Sequence, residues 1–318
     1  MCKVSDFELQ RRWWTPEGQA LAAAFVSNLQ RGRKMKEPVG FGLHEGFIDA
    51  RGLSFRGEAT RAGDGRQEDF VVEARGARLQ HVDLSGAELS GLRLFDCSLV
   101  DLRLERVRLP DFRVWRSLFE RINFEGADLS GAILGPWLNG KGNSYRHVDF
   151  SGADLRGILC PAATFTDSVF EGTRLDGVDF QSSSFTRCRF AGELRDVIFW
   201  DRGFETGKPD PNPMDDVDFR DATLPWVEFR HLNLDRVWLP DGPEHVVLKP
   251  YREVLTCAAN KLPVEDRAGH ALISHRRRWW GPKQRVGVIH EEQLAESADP
   301  ARLRQILEDC SRQALDHD

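Results

Sequence analysis

The chain has 318 residues, with 44 basic against 50 acidic side chains and a net charge of −6. That length admits two or three domains, and the mildly acidic balance argues against general nucleic-acid binding. The opening Met-Cys-Lys-Val-Ser-Asp-Phe-Glu lacks the apolar run of a signal peptide and no stretch is long enough to span a bilayer, so a cytoplasmic location with no membrane partner is expected.

Thr15-Pro16-Glu17 predicts a helix start, with Thr as N-cap, Pro in the first turn and an acid beside it. Leu21, Ala24, Phe25 and Leu29 then share one face, and Trp13 and Trp14 precede the cap as a staple. From Phe41 to Ala74 the pattern is short strands and turns. Leu53-Ser54-Phe55 reads as an outlying repeat and Gly63-Asp64-Gly65 as a loop tip.

From Ala77 to Leu134 the chain is written in fives. Leu, Phe or Val recurs at Leu79, Leu84, Leu89, Leu94, Leu99, Leu104, Leu109, Val114, Phe119, Phe124, Leu129 and Leu134. A mostly small or aliphatic residue stands two positions before each, from Ala77 and Val82 to Ala127 and Ala132, and the positions between are polar. A period of five is neither helical nor that of an ordinary strand; kept over this length it specifies a solenoid whose units bury their apolar side by stacking. The register breaks at Gly135–Arg146 and resumes through Phe150, Leu155, Cys160, Phe165, Phe170, Leu175, Phe180, Phe185 and Phe190. It slips before Val197-Ile198-Phe199, crosses the Pro-rich Lys208–Pro213, and ends with Phe219, Leu224, Phe229, Leu234 and Leu239.

Ala87-Glu88-Leu89-Ser90-Gly91, Ala127-Asp128-Leu129-Ser130-Gly131, Val148-Asp149-Phe150-Ser151-Gly152 and Ala153-Asp154-Leu155-Arg156-Gly157 resemble the pentapeptide-repeat family, whose pattern is Ala-Asp/Asn-Leu-x-x. The resemblance covers roughly half the chain. It implies a mainly β fold, a right-handed quadrilateral β-helix with four pentapeptides per coil and the Leu/Phe and small rows pointing inward. The repeats would make six to seven coils, a rod about 30 Å long at about 4.8 Å per layer. The abundance of Phe (20 residues, against 2 Tyr) suits an interior with no partner for a phenolic hydroxyl. Cys97 and Cys188 fall on the small inward row and Cys160 on the central one; the cysteines read as apolar fillers, not disulfides.

The expected organisation is an N-terminal helix over 1–40, a solenoid cap over 41–76, the β-helix over 77–241 with insertions at 135–146 and 200–216, and a helical region over 242–318. In that last part Tyr251–Ala259 and Arg267–Trp280 read as helices, and Asp299-Pro300 opens an amphipathic one.

Stacking at twenty residues predicts columns of opposite charge: Glu88, Arg108 and Asp128; Asp83 with Arg103; Asp96 with Arg116; Asp101 with Arg121; Asp154 with Arg174; Arg156 with Asp176; Asp167 with Arg187. Two places depart from this. Asp201, Asp221 and Asp241 would stack without a basic partner, near Trp200, Trp226 and Trp238; they form a binding face, or the Trp residues pack under the C-terminal helices and the acids meet Arg276, Arg277 and Arg278. Phe95 and Trp115 would stack as an aromatic ladder with Trp137 near the same column, either as a contact site or covered by the insertion.

No chemistry is written in the chain. Gly135-Pro-Trp-Leu-Asn-Gly140-Lys141-Gly142 nearly matches a phosphate-binding loop but has Gly142 where Ser or Thr would hold magnesium. His270 and His275 lack ligand spacing, and His81, His147 and His231 read as surface residues. Arg11-Arg12-Trp13-Trp14 and Arg276-Arg277-Arg278-Trp279-Trp280 echo one another; they read as packing where caps join the rod. The expectation is a non-catalytic protein-interaction scaffold with no cofactor and no direct nucleic-acid partner. The alternative is a DNA-mimicking protein that binds gyrase or topoisomerase, and the C-terminal region is a candidate homodimer interface.

Overall fold

The computed structural model describes residues 6–32, 40–54, 71–202 and 210–315. Phe55 of the outlying repeat, the Gly63-Asp64-Gly65 tip, Cys2, and Lys208 and Pro209 of the Pro-rich loop lie outside the described residues.

Val237 and Leu239 of the last repeat are half-buried, but each central residue from Leu79 to Leu234 is buried, and so is each residue two before it. The chain turns a corner between them. Asp96, Asp101, Arg116 and Arg121, each two residues past a central one, take φ between 50° and 55°, and glycine fills that row at Gly126 and Gly131. This left-handed step every five residues converts a straight strand into a four-sided coil. Successive coils pair in parallel: Leu79 with Leu99, Leu99 with Phe119, Phe165 with Phe185. The result is a right-handed β-helix whose largest sheet has 13 strands.

Inside, rings stack along the axis. Phe119, Tyr145, Phe165 and Phe185 form one column with centroids 5.0, 4.9 and 5.1 Å apart. Phe124, Phe150, Phe170, Phe190 and Phe219 form a second, at 5.4, 5.0, 4.6 and 4.8 Å. Each such buried ring contributes about 1.5–3 kcal/mol, more with offset stacking. Tyr145 corrects the expectation of an interior closed to phenol: it is fully buried and its hydroxyl donates to the Leu134 carbonyl at 2.8 Å. That acceptor exists because the coil opens there into the insertion.

The insertion costs six residues of register, since Phe119 pairs with Tyr145 in place of the residue twenty on. The chain re-enters through buried Asn143, whose carboxamide accepts from the Ser117 N–H at 2.9 Å and donates to the Val114 and Leu134 carbonyls at 2.9 and 2.7 Å. The second break works alike: Asn212 accepts from the Phe185 N–H at 3.0 Å and seats Met214 on the central row. On intact coils a serine on the same small row does this, Ser117 accepting from the Cys97 N–H and Ser183 from the Ala163 N–H, both at 3.0 Å. Each of these four residues satisfies a backbone donor of the coil below.

Both ends of the solenoid are occupied. Helix α1 (Asp6–Arg11) and a 3-10 turn (Arg12–Trp14) lead into α2 (Pro16–Gln30), whose N-cap Thr15 accepts from the Gly18 N–H at 3.0 Å. Phe25 and Leu29 of α2 are buried in the solenoid core, whereas Ala24 is exposed. At the other end follow α3 (Tyr251–Lys261), α4 (Arg267–Arg278), α5 (Glu291–Leu294) and α6 (Pro300–Leu315). They enclose their own core around Tyr251, Leu255, Ile273 and Leu307. An antiparallel pair unread in the sequence, His245–Leu248 with Gly287–His290, ties that region together. A disulfide joins Cys257 of α3 to Cys310 of α6, correcting the reading of the cysteines as fillers for these two; Cys97, Cys160 and Cys188 are buried free thiols. Helical phase brings the two sulfurs together, a proximity invisible to a search for close spacing.

Candidate protein-interaction surface

The charge columns form largely as expected. Arg103 lies 3.9 Å from Asp83, Arg108 3.8 Å from Glu88, Arg174 3.1 Å from Asp154 and Arg187 2.6 Å from Asp167. Arg116 pairs with Asp96 and Arg121 with Asp101. Arg156 does not reach Asp176; it turns back to Asp154 at 2.6 Å, two residues before it, where no ordering of a long side chain across a coil is needed.

The acidic column at the C-terminal coils does not form as a row of three. Phe199 pairs with Phe229, thirty residues on, because the chain between 200 and 216 adds ten to the coil. The Asp201 N–H therefore donates to the Arg230 carbonyl, while Gly192 pairs with Ala222, leaving Asp201 and Asp221 in different columns. Asp221 accepts from Arg189 at 2.8 Å. Burial raises the carboxyl of half-buried Asp201 above its ordinary value, against the nearby charges of Arg202, His231 and Lys283. Asp241 is exposed.

The tryptophans part company. Trp200 is buried; its indole N–H donates to Asp179 Oδ1 at 2.7 Å and its ring meets Trp279 edge-on at 5.5 Å. Arg230 stacks over both, 4.5 and 4.3 Å from their centroids. Arg276 donates to the Val227 carbonyl at 3.2 Å, and His231 donates to the Trp280 carbonyl at 3.1 Å, so His231 belongs to this joint and not to the free surface. His275 meets Glu228 at 2.8 Å. Trp226 is half-buried beside Glu292, whose carboxyl is held below its ordinary value by Arg195. The first Arg-Arg-Trp-Trp segment repeats the design: Arg12 grips Asp49 at 2.7 and 2.8 Å and the Trp13 indole donates to the Arg51 carbonyl at 2.8 Å.

Of Trp200, Trp226 and Trp238, only Trp238 faces solvent, at 46 % exposure. It lies on the strand Val237–Trp238, the last of the 13-stranded sheet, and among the described residues no further strand pairs with its outer edge. Val247 (43 % exposed), Leu239 and Pro240 share its groove with Arg220, Asp235, Asp241, Lys249 and Arg285.

The second aromatic site is a stack, not an open ladder. Phe95 and Trp115 lie parallel within 2° at 4.3 Å, both half-buried, with the Arg75 guanidinium 4.2 Å from the Phe95 ring. Trp137 sits within its own loop, in the space a side chain on Gly142 would need. That loop closes as a small hairpin, Leu138 bonded to Lys141 across Asn139 and Gly140, both with positive φ. Asn-Gly was its signal in the sequence. Among the described residues no group of His, Cys, Asp and Glu is arranged to hold a metal, and no helix is long and apolar enough to cross a membrane.

Residues 75–109, 146–182 and 161–192 match the family described as Pentapeptide repeats, in eight copies. A search of the curated proteins returned no match. Among solved structures the chain is similar to HetL, a pentapeptide repeat protein involved in heterocyst differentiation regulation from the cyanobacterium Nostoc (19 % identity, 54 % of this chain and 79 % of that one, TM-score 0.25). It is similar also to full-length QnrB1, a plasmid-mediated fluoroquinolone resistance protein (18 %, 49 % and 84 %, TM-score 0.17), and to Rfr23 from the cyanobacterium Cyanothece (18 %, 41 % and 65 %, TM-score 0.11). At these scores the superpositions add nothing to what the coil register establishes. With its period of five, its two inward rows and its eight matched copies, the chain carries pentapeptide repeats folded as a β-helix.

Proposed function

We propose that the chain is a non-catalytic, cytoplasmic protein-interaction scaffold whose contact surface is the groove of the terminal coil. The observation that carries this reading is Trp238, a large aromatic side chain held exposed on the last strand of the sheet. A strand edge offers unpaired backbone donors and acceptors, and an aromatic anchor ringed by charges of both signs is the composition of a binding hot spot. The partner is a protein that lays an extended segment along Val237–Trp238. Phe95–Trp115, pinned by Arg75, serves as a stiffening contact of the rod.

The DNA-mimic reading draws support from the overall negative charge, but a mimic needs a continuous acidic face, and Asp221 is neutralised while Asp201 stands in another column. A supercoiling assay with purified gyrase, with and without a quinolone, separates the two. The scaffold reading expects no effect at micromolar protein. Inhibition or protection that is lost when Asp201, Asp221 and Asp241 become Asn would replace it with the mimic. For the groove itself, a photo-crosslinker at position 238 should capture one protein species, abolished by excess unlabelled wild type; a crosslinker at Val264, more exposed still, should not.

A further inference from the structure

Most arginines of the rod are paired within it, whereas three at the outer corner of the C-terminal region are not. Arg252 on α3 and Arg277 and Arg278 at the end of α4 are exposed, and none makes an ion pair among the described residues. Their guanidinium groups lie against indoles: Arg252 and Arg277 are 5.2 and 5.4 Å from the Trp280 centroid, and Arg278 is 5.6 Å from that of Trp279. Together with Ser274 and His275, Arg277, Arg278 and Trp280 wall an open cleft.

The bland account is that basic residues in the last turn of α4 offset its dipole. It covers Arg277 and Arg278 but not Arg252, which comes from the first turn of another helix to the same ring. A guanidinium resting against an indole keeps N–H groups free to grip a carboxylate with two hydrogen bonds. The support is rigid, because neighbouring Arg276 is buried and anchored on the Val227 carbonyl while Trp279 is locked against Trp200. A cationic cleft on a chain of net charge −6 is a local inversion of the field.

We propose that this cleft binds an acidic segment of a protein partner, with Glu or Asp carboxylates on Arg252, Arg277 and Arg278. Nucleic acid fits less well. Three cations sit at one corner of a chain of net charge −6, and the Trp280 ring that a base would stack on is already engaged by two guanidinium groups. The site is separate from the Trp238 groove and does not rest on that reading.

The test is fluorescence anisotropy of a labelled peptide of alternating Glu and Ser, beside its Gln-for-Glu counterpart and a single-stranded oligodeoxynucleotide of equal length. Wild type should bind the Glu peptide in low salt, lose affinity as ionic strength rises from about 50 to 300 mM, and ignore the Gln peptide. Arg277→Glu with Arg278→Glu should weaken binding by about tenfold or more, with Arg277→Gln and Arg278→Gln as a milder pair should the reversal disturb folding. Trp238→Ala should leave it unchanged. Absence of Glu-peptide binding at low salt, binding that survives both charge variants, or tighter binding of the oligonucleotide would each overturn the proposal.

Discussion

Arg195 on the solenoid grips the carboxylate of Glu292 on α5 with both terminal nitrogens, at 2.7 and 2.9 Å, across ninety-seven residues of sequence. The pair clamps the C-terminal region to the flank of the rod. Glu292→Gln should leave the far-ultraviolet signature of the solenoid unchanged and speed proteolysis within 242–318 by about two- to fivefold, as expected for weakening a partly exposed ion pair. Because the folded carboxyl sits below its ordinary value, its contribution is complete above that value of 4.5 and fades as pH falls through the lowered one.

The same joint carries a second pH dependence. The Leu224 N–H donates to buried His245 Nε2 at 3.1 Å, which requires a neutral ring. Burial and the neighbouring His290 push its pKa below 6.5, against the pull of Glu244 and Glu291. Stability from this group is therefore fully present above pH 6.5 and is lost as pH falls toward the lowered value. Tm of wild type should decline from pH 7 to pH 5, and His245→Gln, which keeps an acceptor, should flatten that part of the curve.

Phe170 lies between Phe150 and Phe190, with centroids 5.0 and 4.6 Å away. Phe170→Ala should cost about 3–5 kcal/mol in denaturant unfolding, since neither neighbour can close the gap along the axis. An unchanged midpoint would contradict the stacked interior.

His147 holds φ at 51° on the corner row, where most left-handed positions carry glycine or a paired charge, and its contact with Asp167 is a long 3.8 Å. His147→Gly should stabilise the protein by about 0.5–1 kcal/mol in the same assay, relief of strain exceeding the entropy a glycine adds to the unfolded chain.

Cys257–Cys310 closes fifty-three residues of sequence separation. Reduction, or Cys257→Ser, should destabilise the C-terminal region by about 3–4 kcal/mol and leave the solenoid folded, read by a calorimetric scan in which one transition moves. Thiol titration of protein purified without reductant tests the cytoplasmic part of the functional reading, because a reducing compartment disfavours such a bond.

What the sequence disclosed was whatever is local or strictly periodic. Leu79 to Leu134 could be placed inward because the period of five needs no knowledge of distant partners, and Arg187 could be matched to Asp167 because counting by twenty suffices. Counting failed where the count changed. Ten added residues between Trp200 and Val217 moved Asp201 out of line with Asp221, and six before Tyr145 hid it from the central row. Trp200 and Trp238 look alike in sequence, yet one is mortar and the other faces water; the difference is made by Trp279, seventy-nine residues past the first and named by no periodicity.

Asn143 and Asn212 have a consequence for how such a chain can diversify. Each re-seats the strand with one carboxamide, whatever the loop before it contains. A coil boundary closed this way is indifferent to what is spliced in: sequence can be acquired at the corner without a compensating change in the ring columns beneath. The rod is then a chassis, and an Asn on the small row is the fitting by which an appendage is mounted on it. Where that fitting occurs, a foreign loop can be grafted and the coils above it should still assemble.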